Sequence, residues 1–310
     1  MLRRTWRTFI HHLMLPLRRR PEFFLAVREI FHPRRAIYQH LHFRGPFTLQ
    51  VSNQASFVIN HFGYVVENDL FWAGFGRGWE GMELRLWRAL TQKAEFIADV
   101  GANTGVFSLA AAALNPHARI VALEPVQRVY EKLVANIALN SFKIRALQIA
   151  ASDFDGEAIM FDTEGEHNYS ASLDATMLDG YEPLRVPVRA ARLDSLFDEV
   201  GWPRVDLLKI DVEKHEPAVL AGMRKRLRQD RPTILIEILN HGIGEAVARL
   251  LQRLDYRFFA IDQRAGLIGT EKLDRSETRN YLLCGSELWE RMGSRIKDAL
   301  ILNSARREKH

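Results

Sequence analysis

Between Phe96 and Leu109 the chain reads FIADVGANTGVFSL, an apolar run interrupted by one acid, then two glycines four residues apart, then apolar residues again. No other stretch restricts the fold as much. An apolar run this short, closed by an acid and a glycine, reads as a buried strand, and Gly101 and Gly105 permit a tight turn into a helix beginning near Thr104. A strand that feeds a helix in this way starts a parallel, doubly wound sheet. The remaining pattern agrees, with strands predicted near 95–100, 119–124, 144–149, 204–210, 232–239, 255–261 and 280–285. Helices are predicted near 104–114, 126–140, 193–200, 215–228, 243–254 and 286–300. Such alternation makes an α/β fold, a mostly parallel seven-stranded sheet covered by helices on both faces. The stretch 157–190 reads as one or two additional hairpins.

Ahead of this region, residues 46–72 alternate apolar and polar and are expected to form short antiparallel strands. Phe71, Trp72, Phe75 and Trp79, interleaved with glycines, suit either a lid whose rings face a sugar or ordinary core packing. The partition that follows is a basic helical extension over 1–44, a β/aromatic lid segment over 45–92, the main domain over 93–302 and a tail over 303–310.

Charge is distributed unevenly. Residues 1–44 carry ten arginines, no lysine and only Glu22 and Glu29, a formal +8, whereas the whole chain is +5, so the remainder is acidic. Within that extension Trp6, Phe9, Ile10, Leu13 and Met14 recur at helical spacing opposite arginines. Two readings stand: a helical extension packed on the body, or an amphipathic helix that makes peripheral contact with a membrane surface. FIHHLMLPL, broken by two histidines and followed by three arginines, does not read as a secretion signal. No nucleic-acid module accompanies the basic residues, so nucleic acid is not an expected partner. The apolar runs fall far short of the ~20 residues of a membrane-spanning helix. The single cysteine, Cys284, fits a reducing compartment and a cytoplasmic location, with or without membrane association. No Cys–His cluster has the spacing of a structural zinc site.

The turn after the first strand limits the ligand. Dinucleotide folds use G-x-G-x-x-G to bring backbone against a pyrophosphate. Here Asp99 precedes Gly101, Asn103 lies inside the turn and Gly105 closes it, with no phosphate-binding lysine after it. An acid at that point repels a pyrophosphate but suits a ligand carrying an ammonium and hydroxyls, as S-adenosyl-L-methionine does. The next strand ends in Glu124, where a carboxylate can accept both ribose hydroxyls. The third ends in AASDFDG, where Ser152 and Asp153 can reach an adenine edge.

The fourth strand runs into LLKIDVEKHE, which holds Lys209, Asp211, Glu213, His215 and Glu216. Asp211 is expected to orient cofactor or acceptor. An acceptor hydroxyl needs a positioned base during attack, and Glu213 or His215 can provide it. Glu216 reads more plainly as a helix N-terminal carboxylate. Glu237, flanked by apolar residues, needs a partner if buried, either Lys209 on the neighbouring strand or the site itself, with Asn240 and His241 just beyond. Asp211, Glu213 and Glu237 together would also suit a divalent cation. The candidate catalytic residues are therefore Glu213, His215, Lys209 and Glu237.

In order along the chain, FIADVGANTGVFSL, IVALEPVQRVYEKLVANIALN, AASDFDG, VPVRAARLDSL, DLLKIDVEKHEPAVLAGM and PTILIEI resemble the FkbM family of S-adenosylmethionine-dependent methyltransferases over about residues 95–240. The resemblance implies a class I, Rossmann-like methyltransferase fold and methyl transfer to a hydroxyl of a glycan, glycolipid or small metabolite. One departure stands out, Lys214 where the family usually has glycine. The alternatives are an NAD-dependent oxidoreductase on a related fold, or a non-catalytic binding module with a methyltransferase-like body.

Overall fold

The structure is a computed structural model and describes residues 21–162, 184–274 and 279–290. Its contacts separate two compact units, Met1–Gly81 and Met82–His310. Three expectations lie outside the described residues: the amphipathic helix around Trp6 to Met14, residues 291–300 of helix 286–300 and the tail 303–310.

In the first unit, helices α1 (Pro21–Ile30) and α2 (Arg35–Tyr38) precede a hairpin of β1 (Gly45–Gln50) and β2 (Ser56–His61). The hairpin pairs antiparallel with Gly45 opposite His61. Its alternation is real: Phe47, Leu49, Phe57 and Ile59 point inward. The alternation was expected to continue to 72, but Val65–Ala73 is a helix, α3. Its polar residues Glu67, Asn68 and Asp69 are buried rather than solvated, which removes the 3.6-residue signal of a surface helix. Asn68 donates to the Tyr38 carbonyl at 2.7 Å, and Asp69 pairs with Arg35 at 3.2 Å. The lid reading also fails for Phe71 and Trp72. Both are buried, with Phe43 4.7 Å from the Phe71 ring and Tyr38 stacked on Trp72.

The second unit opens with α4 (Gly81–Thr91), whose first residue belongs to the preceding unit. The alternating part then follows: β3 (Phe96–Val100), α5 (Val106–Leu114), β4 (Arg119–Leu123), α6 (Gln127–Ala138) and β5 (Ile144–Leu147). After it come β6 (Ala150–Ala151), β7 (Gly156–Asp162), β8 (Leu184–Ala191) and α7 (Leu193–Glu199). The chain continues through β9 (Leu207–Ile210), α8 (Glu216–Ala221), α9 (Arg224–Gln229), β10 (Thr233–Glu237) and α10 (His241–Leu251). It closes with β11 (Tyr256–Asp262), β12 (Gly266–Thr270) and β13 (Asn280–Gly285).

The main sheet has eight strands in the order β12-β11-β13-β10-β9-β3-β4-β5. From β10 to β5 every pairing is parallel, whereas β13 runs antiparallel to both β10 and β11. All five residues of β3 are buried, as a central parallel strand requires. The seven-stranded expectation misses β12, which returns from β11 through a turn where the Asp262 carboxylate takes the Arg264 and Ala265 amides. The expected third strand, 144–149, ends early. It joins the main sheet only as far as Leu147, and β6, just beyond its expected end, pairs with β8 in a separate three-stranded sheet completed by β7. The hairpin expected within 157–190 is β7 with β8, and its connection lies outside the described residues. The expected helix 215–228 breaks between α8 and α9, where Gly222 packs against the Ser152 carbonyl with no room for a side chain.

Two glycines of the opening turn are fixed by packing. Gly101 has φ 79° and Gly105 φ 92°, both left-handed. A Cβ on Gly101 would be driven into the carbonyl oxygen of Asp211, which is backbone, whereas one on Gly105 would lie 2.6 Å from the movable Leu133 Cδ1. Gly105→Ala is therefore expected to cost about 1–3 kcal/mol of backbone strain and remain folded. Gly101→Ala should cost more, because strand β9 itself must shift. Denaturant midpoints check this order, and equal losses would contradict it.

Candidate active site

From β3 the chain proceeds to β4 and β5 on one side of the sheet and returns to β9 on the other. Neighbouring strands whose onward connections diverge leave a crevice outside their carboxyl ends, the usual ligand position in open α/β sheets. A cavity with about 750 Å³ of empty space lies there, open to solvent. Gly101, Asn103, Glu124, Asp211, Glu213 and His215 line it, with apolar walls from Val126, Ile149 and Met160. A larger depression, about 1690 Å³ by the same measure, opens at the amino ends of β9 and β10. Its acids serve the fold. Asp206 takes the Glu95 and Phe96 amides at 2.9 Å, and Asp230 takes the Val205 amide at 3.0 Å.

On the cofactor side, Glu124 is buried at the end of β4. Its two oxygens accept the backbone N–H groups of Asn103 and Val126, each at 3.0 Å, so its orientation is set by backbone. Burial, opposed by these hydrogen bonds, pushes its carboxyl up to about 7. Each carboxylate oxygen retains a further lone pair for a hydroxyl. Asn103, left-handed at φ 51°, caps its own turn by accepting the Thr104 amide at 2.8 Å. Asp99 sits differently from its expected position. It is 1% exposed and does not line the cavity, and its Oδ2 accepts from the Ser108 amide at 3.0 Å and hydroxyl at 2.6 Å, satisfying the start of α5. Its Oδ1 is buried without a hydrogen-bond partner. Ser152 and Asp153 follow the small sheet's β6 and also stay off the cavity wall. Ser152 is fully buried and Asp153 is exposed.

The cavity lining contains three carboxylates and no lysine or arginine. That donor set fits S-adenosylmethionine, which brings hydroxyls and an ammonium. It does not fit a pyrophosphate, which needs cations or a helix N-terminus free of acids.

On the acceptor side, the Asp211 amide donates to the Val100 carbonyl at 3.0 Å, holding the end of β9 against β3. Lys209 forms an ion pair with Asp211 at 2.8 Å, and its charge also acts on Glu237, the partner the sequence suggested. The Lys209 ammonium also lies 4.6 Å from the Phe107 ring centroid. Glu237 is half-buried and hydrogen-bonded to Asp211. Burial first, then the charges of Asp211 and Glu213, push its carboxyl up to about 9. It therefore stands in its neutral form, sharing its proton with Asp211. Among the described residues no group of three His, Cys, Asp or Glu is arranged to hold a metal ion.

The turn out of β9 is left-handed twice in succession, at Glu213 (φ 51°) and Lys214 (φ 78°). Lys214 thus occupies a backbone conformation that glycine adopts without strain. Glu216 is fully buried and staples this turn, its Oε1 accepting from the Lys214 amide at 3.2 Å. Burial raises its carboxyl to about 7. The His215 Nε2 lies 3.0 Å from the Ser152 hydroxyl, and burial lowers the imidazole's pKa, so the ring is neutral near pH 7. Asn240 and His241 belong elsewhere. Asn240 caps α10 by accepting the Ile243 amide at 3.0 Å, and His241 pairs with Glu245 and Asp274 at the surface.

One group escaped the sequence reading. Glu83 on α4 is 1% exposed and accepts from Gln263 Nε2 at 2.9 and 2.6 Å and from Asn280 Nδ2 at 3.1 Å. Asn280 is the strand partner of Glu237, and the charge of Lys209 reaches Glu83. The only signal was an acid on the buried face of an amphipathic helix.

The chain is 29% identical over 214 residues to the AMB antimetabolite synthetase AmbE of Pseudomonas aeruginosa, covering 57% of this chain and 10% of AmbE. It is 29% identical over 210 residues to the 31-O-demethyl-FK506 methyltransferase FkbM of Streptomyces tacrolimicus, covering 55% of this chain and 73% of that protein. Among solved structures, a methyltransferase FkbM of Methylobacillus flagellatus KT is similar at 14% identity, with a TM-score of 0.42 over 62% of this chain and 43% of that one. The chain spans only a tenth of AmbE. The family model of the methyltransferase FkbM domain matches residues 99–258, just over half of the chain, and the chain belongs to this family of S-adenosylmethionine-dependent methyltransferases.

Proposed function

We propose that the chain is an O-methyltransferase whose acceptor is a hydroxyl of a glycan, a glycolipid or a small metabolite. The observation that carries this reading is the position of Glu213 on the cavity wall, beside a carboxyl pair that is already committed. The similarity to a protein named for O-methylation supports it. S-adenosylmethionine supplies an electrophilic methyl group when bound. Glu124 takes the ligand's hydroxyls, and the acidic lining attracts its ammonium. As the acceptor oxygen takes the methyl group, its proton passes to Glu213. Asp211 is less available as a base because Lys209 and Glu237 already bond its carboxyl oxygens. Glu237, neutral, cannot accept a proton at all. His215, neutral and on the same wall, is the second candidate.

Labelled methyl donor incubated with fractionated cell extract identifies the acceptor. With that acceptor, Glu213→Gln is expected to lower turnover about 100-fold, within the usual range for a general base, while affinity for S-adenosylhomocysteine is unchanged. Full turnover in that variant would transfer the role to His215.

Glu237 also gives a pH prediction. A carboxyl that keeps its proton up to about 9 when folded, against 4.5 when unfolded, contributes stability that is lost as pH rises between those values. His61, lowered to about 3, and His215, also lowered, have finished their opposite contributions above 6.5. The melting temperature should therefore fall from about pH 7 to about pH 9, and Glu237→Gln should flatten the fall. A wild-type curve that rises over this window would contradict the shared-proton arrangement.

A further inference from the structure

At the amino ends of β4 and β5, away from the cavity, lies a further hollow that methyl transfer does not use. It has about 790 Å³ of empty space open to solvent, and His117, Arg119, Lys143 and Arg145 line it with no aspartate or glutamate. Strand register explains the gathering. Val121 is the β4 partner of Arg145, so Arg119, two residues before Val121, projects from the same face of the sheet as Arg145. Ile144 and Ala146 project from the other face, where they pack with Leu133 of α6. The Phe96 ring, on the strand position paired with Arg119, lies 5.4 Å from the Arg119 guanidinium carbon and 5.4 Å from the Trp202 ring. Val121, Val200 and Trp202 form an apolar floor, and Trp202 is held by stacking on Phe197 of α7 at 5.2 Å.

Charges on an edge strand discourage pairing with another chain, which accounts for Lys143 and Arg145 beside β5. It does not account for Arg119, whose strand is paired on both sides. Nor are these cations neutralised. Arg204, which also lies 5.4 Å from the Phe96 ring, takes Glu95 at 2.7 Å and Asp206 at 2.8 Å, and Glu199 beside Val200 pairs with Arg189 at 2.8 Å. Among the described residues Arg119, Lys143 and Arg145 are left without a carboxylate partner. Positive charge is thus concentrated around one hollow and balanced beyond it. A nucleic-acid backbone asks for a longer track of cations, whereas a single phosphate matches a pair of guanidinium forks and an ammonium. We infer that the hollow binds a small phosphate ester, with the phosphate on Arg119, Lys143 and Arg145 and the organic part on the apolar floor. Arg119 is five residues from Glu124 along β4, roughly 16 Å, so the site is separate from the cavity and the inference does not depend on the acceptor.

The test is calorimetry on the full chain with phenyl phosphate and with inorganic phosphate as probes. Wild type should bind phenyl phosphate, more tightly than inorganic phosphate and more weakly as salt rises. The double variant Lys143→Gln, Arg145→Gln should bind phenyl phosphate at least roughly tenfold more weakly, since two charge-assisted contacts are lost. Both positions are exposed and outside the cavity, so S-adenosylhomocysteine affinity should not change in the variant, which verifies its fold. Phenyl phosphate should not displace S-adenosylhomocysteine from wild type, because acids line the cavity. Absence of phenyl phosphate binding by wild type would overturn the inference, as would equal binding by the two proteins or displacement of S-adenosylhomocysteine. Equal affinity for the two probes would make this a site for free phosphate and overturn the ester. A short single-stranded oligonucleotide bound more tightly than phenyl phosphate, and lost in the variant, would assign the hollow to nucleic acid instead.

Discussion

Everything at the site depends on how closely the turn after β3 approaches the end of β9. Gly101 lies against the Asp211 carbonyl with no space for a Cβ, and the Asp211 amide bonds back to the Val100 carbonyl at 3.0 Å. The same turn is tied to β4, because the Gly101 and Ala102 amides share the Leu123 carbonyl at 3.0 and 2.8 Å. Three strand ends are thereby held together by backbone alone. Asn103, Glu124, Asp211 and Glu213 emerge from them, and the cavity is the space the convergence leaves. Backbone contacts of this kind cannot relax around a substitution as side chains can. That rigidity is what a site needs when reacting groups must be held in alignment.

The second constraint is electrostatic. Acids outnumber cations at the carboxyl edge, and Lys209 is the cation whose charge reaches Glu83, Asp99 and Glu237 while it bonds Asp211. With so little compensation, burial returns protons to the carboxyls, to Glu237 most of all. Glu237 and Asp211 are then occupied by the hydrogen bond between them. In the proposed reaction this arrangement directs proton removal to Glu213, two residues along the chain on the same cavity wall. The Glu83–Gln263–Asn280 group reinforces the pair from behind, because Asn280 joins Glu237 across the β10–β13 ladder.

Much of this could be read from the sequence, for definite reasons. Strand β3, its turn and Glu124 were legible because a buried parallel strand is apolar without alternation and its ligand end must carry turn residues. Strand β9 and its acids were legible for the same reason. The roles of individual residues were less so. Gly101 and Gly105 read as the hinges of a tight turn, and the packing of Gly101 on the Asp211 carbonyl and of Gly105 on Leu133 was not visible in the pattern. Asp99 read as a cofactor ligand, yet most of its bonding goes to Ser108. Helix α3 was hidden because its polar residues are buried, and β12 because a short edge strand has too few residues to set a period. Glu83, Gln263 and Asn280 are 180 and 197 residues apart along the chain in their bonded pairs, and no local pattern can join them. Lys214 was noticed as a departure from glycine. The structure adds the cost: a side chain in a left-handed turn, worth about 1–2 kcal/mol of strain.

The central claim is that the carboxyl edge of β3, β4 and β9 holds S-adenosylmethionine, with Glu124 as the group that takes its hydroxyls. Calorimetry of S-adenosylhomocysteine binding to wild type and to Glu124→Gln tests it most directly. The substitution keeps the shape of the side chain and removes the charge, and its one oxygen still accepts from one of the two backbone amides, that of Asn103 or that of Val126. The account predicts binding to wild type and a loss of roughly ten- to hundredfold in affinity in the variant, the range for a hydrogen bond to a charged group. Equal affinities in two folded proteins, or no binding to wild type, would contradict it.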